Sequence, residues 1–104
     1  MKIALIRFLF NLIQFLIMWH YANDNIKKKI SSRDLSDKQI EEVLKNSELT
    51  VSGKMGRLVA QKHSMKIGFG KMLIRVVYEE IKNEKVVVTA YWTKPKRYIK
   101  RNEK

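Results

Sequence analysis

The chain has 104 residues, with 22 Lys and Arg against 10 Asp and Glu, and no Cys. That length allows one small domain, and the missing Cys excludes disulfides and thiolate metal sites. His20 and His63 lie too far apart in sequence to suggest a histidine metal site, whereas a net charge of +12 points to phosphate-rich partners or an anionic membrane surface.

Ile3 to Trp19, "IALIRFLFNLIQFLIMW", is almost wholly apolar and holds no helix breaker, so a hydrophobic helix is predicted within residues 1–22. Arg7, Asn11 and Gln14 are spaced four and three apart and fall on one face of that helix. A spanning helix needs about 20 apolar residues, so this run is at the short edge. Three readings stand side by side: a signal-anchor, an interfacial helix, and a helix that packs on the domain or on a partner. A cleaved signal peptide is disfavoured, since "MWHYAND" offers only Ala22 as a small residue. Met18 also offers an alternative start. If residues 3–19 meet a membrane, the Lys and Arg that follow keep the domain on its cytoplasmic side. The expected location is therefore the cytoplasm, with attachment to the inner face of the cell membrane through that run.

A charged domain follows over residues 23–98. Asn25 to Ser32 reads as a short helix with Ile26 and Ile30 on one face. Ser36 opens a second helix with a capping box to Gln39, and Ile40, Val43 and Leu44 form its apolar stripe. The period then changes from 3.6 to 2. "ELTVS", "RLVAQKH", "MLIRVVYEE" and "KVVVTAYW" read as four strands joined by short turns. The expected fold class is thus α+β: two short helices packed on a four-stranded antiparallel sheet, preceded by the N-terminal hydrophobic helix. Residues 99–104 form a basic tail.

Register follows from the pattern of the last two strands. Met72, Ile74, Val76 and Tyr78 make one face, matched by Val86, Val88, Ala90 and Trp92. This pairing asks for an odd-length loop around Lys82, Asn83 and Glu84. It also sets Arg75 opposite Tyr91 on the other, open face. A cation–π pair on a solvated sheet would explain those two residues without any function. They are equally suited to phosphate: arginine binds it in a bidentate way, and a phenol can donate or stack. Arg57, Lys62 and His63 lie on the neighbouring strand, and Lys94, Lys96, Arg97, Tyr98, Lys100 and Arg101 follow Tyr91. Basic residues interleaved with aromatics suit a single-stranded nucleic acid.

The stretches "LSDKQIEEVLKNSELTVSGKMGRLVAQK", "LIRVVYEE", "VVVTAYWT" and "KRY" together resemble a family of small bacterial and archaeal domains of unknown function. That family is itself similar to the RelE and BrnT type ribonuclease toxins. The resemblance covers about Asn25 to Tyr98 and leaves the apolar leader outside. It implies a RelE/BrnT-like domain that binds RNA, including ribosome-associated messenger RNA, and pairs with an acidic antitoxin. It also implies metal-independent, cofactor-free cleavage by attack of the ribose 2′-hydroxyl on the adjacent phosphate. On that reading Arg75 stabilises the phosphorane, and Tyr91 positions the phosphate or donates a proton. Lys62 and His63 are further catalytic candidates. Arg57, Lys94, Lys96, Arg97, Tyr98 and Lys100 are the RNA-binding candidates. One departure stands out: members of the family usually carry a histidine where this chain has Asn25. That change favours a second reading, a non-catalytic nucleic-acid-binding or adaptor domain on the same scaffold. A third is a membrane-associated interaction protein whose basic face meets anionic lipid.

Overall fold

The computed structural model describes residues 19–95. It shows an α+β fold with five strands rather than four. In chain order these are β1 Trp19–Tyr21, α1 Asp24–Ser32, α2 Asp37–Lys45, β2 Leu49–Ser52, β3 Leu58–Lys66, β4 Gly70–Ile81 and β5 Glu84–Thr93. The sheet order is β1-β5-β4-β3-β2. The four expected strands form an antiparallel meander. The fifth, β1, runs parallel to β5, with Trp19 beside Lys85 and Tyr21 beside Val87. The all-antiparallel expectation is therefore corrected to a mixed sheet. The expected helix also ends too late, since Trp19 lies in a strand; the rest of the predicted leader helix lies outside the described residues. Among the described residues no helix is long and apolar enough to cross a membrane.

β1 forms because an aromatic, a polar and an aromatic residue alternate there. Trp19 and Tyr21 point into the half-buried side, His20 outwards. The two aromatic rings meet edge to face, 5.1 Å apart. The Tyr21 hydroxyl donates to Asp37 Oδ1 at 2.6 Å, which ties β1 to the start of α2. Burial, and then the neighbouring Asp37 carboxylate, raise the Tyr21 pKa well above the usual phenol range.

Both helices begin on side-chain caps. Asn23 accepts from the Ile26 amide, and Ser36 and Gln39 make a complete capping box. α1 lies over β1 and β5, and α2 lies over β3 and β4, all on one face of the sheet. Ile30, Leu35, Ile40, Val43 and Leu44 from the helices and their connection meet Ala60, Ile74, Val76, Tyr78, Val87 and Ala90 from the sheet. Trp92 is only half-buried at the rim of this core, with its indole N–H donating to the Asp34 carbonyl at 3.3 Å.

The β4–β5 hairpin reaches its register by another route than an odd loop. Lys82 and Asn83 form a two-residue turn with φ of 50° and 69°, the left-handed pair that a type I′ turn requires. The odd residue is instead inserted within the strand. Val77 pairs with Thr89 and Tyr78 with Val87, so Val88 is left over as a bulge. Beyond the bulge the faces exchange, and Val87 fills the core in place of Val86 and Val88. Arg75 still stands opposite Tyr91. Lys82 carries the cost of a side chain in left-handed backbone, so Lys82→Gly is expected to stabilise the domain by about 1 kcal/mol. A higher urea midpoint at unchanged slope is the measurement that checks it.

Candidate functional site

The sheet face away from the helices gathers side chains from three strands. Pairing sets Gln61 opposite Arg75, Arg75 opposite Tyr91, and Leu73 between His63 and Thr93. Alternation along each strand therefore places His63, Arg75 and Tyr91 on one face, as their side chains follow period 2. This face is not open, contrary to the sequence expectation. Arg75 is only 9% exposed, with Gln61, Thr93, Val59 and Leu73 also buried. The physical reason is the residues that frame the arginine. Val59, Leu73 and Val77 alternate with an equally apolar set on the helix side, which is the pattern of a sheet buried on both faces. An arginine so withdrawn meets no RNA phosphate while the face stays covered.

The other candidates are held by partners within the fold. The His63 amide donates to Glu48 Oε1 at 2.8 Å, and its ring Nδ1 lies 2.7 Å from the same oxygen. The His63 amide, and then its ring, hold the Glu48 carboxyl below the usual range. Lys62 alternates to the helix side, where its ammonium donates to the Asn46 carbonyl at 3.3 Å and lies 3.8 Å from Glu42. Neighbours in sequence, Lys62 and His63 thus work on opposite faces. Arg57 Nε donates to Glu79 at 2.9 Å across β3 and β4. Lys94 is exposed just past the end of β5. Lys96, Arg97, Tyr98 and Lys100 lie outside the described residues.

A groove of about 320 Å³ runs between α2 and β3, lined by Ser36, Lys38, Gln39, Glu42, Val43, Lys62, His63, Ser64 and Ile74. It gathers both signs of charge over an apolar base. Arg75 and Tyr91 do not line it, and of the residues on their face only His63 borders the groove. Among the described residues no group of three His, Asp or Glu side chains is placed to hold a metal ion.

Two contributors were not anticipated. Glu48 fixes His63, and Arg33 donates to the Ala90 carbonyl at 3.0 Å and the Thr89 hydroxyl at 3.2 Å. Arg33 thereby satisfies the edge of β5 that the short β1 leaves uncovered. Nothing local marks either role, since both depend on strand register and on where α1 ends. The chain matches no family model, no curated protein and no solved structure.

Proposed function

We propose that this protein is a nucleic-acid-binding domain that holds RNA through exposed cations on α1 and beyond β5 and does not cleave it. The observation that carries this reading is the division of labour among its basic residues. Arg57, Lys62, His63 and Arg75 are engaged or buried within the fold, while the net charge remains +12. Residues 19–95 hold 15 Lys and Arg against 9 Asp and Glu, a surplus of six, so the other half of the excess lies in the flanking segments. Lys27, Lys28 and Lys29 on α1 and Lys94 after β5 are exposed. Such cations bind phosphate backbones by releasing counterions, without reading sequence. The cytoplasm is where this partner is met, and an acidic protein of the antitoxin kind would compete for the same cations.

RNA affinity should therefore fall steeply with salt. Neutralising Lys94, Lys96, Arg97 and Lys100 together should flatten the slope of log affinity against log salt. On single strands the change should be about 0.7 for each phosphate that these side chains had neutralised. Fluorescence anisotropy across a salt series measures this. An unchanged slope places the binding cations elsewhere and removes the basis for the proposal.

A second reading, metal-independent cleavage of the ribonuclease-toxin kind, draws support from the shared face of His63, Arg75 and Tyr91. It requires that face to be uncovered. Its mark would be RNA fragments ending in a 2′,3′-cyclic phosphate, formed in the presence of chelator.

A further inference from the structure

Three of the exposed large apolar side chains sit together at the tip of the β3–β4 hairpin. Ile67 is fully exposed, Met65 is 71% exposed and Phe69 is 66% exposed. The turn that presents them is well defined. The Phe69 amide donates to the Lys66 carbonyl at 2.9 Å, and Gly68 and Gly70 supply φ of 85° and 80°. Lysines surround the tip. Lys66 holds its ammonium 4.6 Å from the centre of the Phe69 ring and 5.4 Å from that of Trp92. Lys71 pairs with Met65 across the hairpin. Lys94 follows Thr93, the partner of Leu73, so it stands at the same end of the sheet.

We infer that this tip is a membrane-docking device, in which Ile67, Phe69 and Met65 enter the interface of an anionic bilayer while Lys66, Lys71 and Lys94 meet its headgroups. The chemistry of the tip separates this partner from others. Met65 and Ile67 have no ring face on which a base can stack, so RNA leaves most of the apolar tip unused. An acyl boundary takes aliphatic and aromatic side chains alike, and lysine stems run alongside them with their ammonium groups in the headgroup layer. The charge surplus finds its broad complement in a negative lipid surface. This docking needs no spanning helix. It shares Lys94 with the RNA-binding proposal, but its apolar side chains and Lys66 and Lys71 belong to this tip alone.

The absence of Cys from the chain allows single-site labelling of the full-length protein. Environment-sensitive fluorophores are attached at Ile67→Cys and, at the far end of the sheet, at Ser52→Cys. With phosphatidylserine–phosphatidylcholine vesicles the probe at 67 should shift to the blue and be quenched by a lipid-borne quencher, and the probe at 52 should do neither. Pure phosphatidylcholine vesicles should give a much weaker response. In unlabelled protein, Ile67→Ser with Phe69→Ser should reduce co-sedimentation with the anionic vesicles. Lys66→Gln and Lys71→Gln should each lower partitioning about fivefold. If the chain sediments with vesicles while position 67 stays in water, or if the Ser variants sediment like the parent, the tip is not the docking element. A response at 67 to single-stranded RNA but not to anionic vesicles makes nucleic acid the partner of the tip and overturns the inference.

Discussion

Ile40→Ala should lower the unfolding free energy by about 2–5 kcal/mol, the range for truncating a buried aliphatic side chain. Ile40 has no exposed surface and sits where α2 meets the sheet, within the cluster that holds Ile74, Val76 and Ala90. α2 is anchored at its start by the Ser36–Gln39 capping box and by Tyr21 on Asp37, so it cannot easily shift to fill the void. The result should lie near the upper end of the range. A domain of this size has about 5–15 kcal/mol in total, so the variant should unfold at a markedly lower urea concentration. A loss below about 1 kcal/mol would mean that the helix repacks and that α2 is a loosely held cover.

Arg75→Ala gives the second large effect, and its direction separates two accounts of this residue. As a buried structural arginine, it should cost about 2–3 kcal/mol of stability, because hydrogen bonding to a charged group and the packing of its stem both disappear. RNA affinity and its salt slope should change little. As an exposed transition-state donor, it would leave stability nearly intact and lower cleavage by about 10²-fold or more. Its 9% exposure supports the first outcome. Denaturant unfolding and RNA titration on the same preparation decide between them. A variant as stable as the parent would overturn the structural role.

The parts of this fold that were legible are those written in local chemistry. The "SDKQ" capping box fixed the start of α2, and the stripe Ile40, Val43, Leu44 fixed its buried side. Arg75 was placed against Tyr91 because both strands keep period 2 across that stretch. What stayed hidden depended on distant partners. Trp19 to Tyr21 closes an apolar run, and three residues are too few to announce a change of period. The Val88 bulge has the same composition as the valines around it, so the pattern offers no reason to skip one residue. The burial of Arg75 was hidden for a different reason. An arginine among valines reads as a residue facing water unless the cover over that face is known. Its partner Gln61 likewise shows its burial only once the strands are set side by side.

The parallel pairing of Trp19–Tyr21 with β5 also governs the order in which this chain can organise itself. β3, β4 and β5 are joined by tight turns, so their pairing closes only short loops and costs little chain entropy. β1 must instead find Lys85 to Val87 from the opposite end of the described chain, across everything that lies between. Such a contact comes late, because its loop-closure cost is met before it gains any compensating interaction. The surface it needs, β5 with α1 and α2 already seated, exists only when the meander is complete. The three-residue strand is thus a latch: it joins the first described residues to the last strand and holds the Tyr21 hydroxyl against Asp37, so that the helices and sheet are secured together by the segment that arrives last.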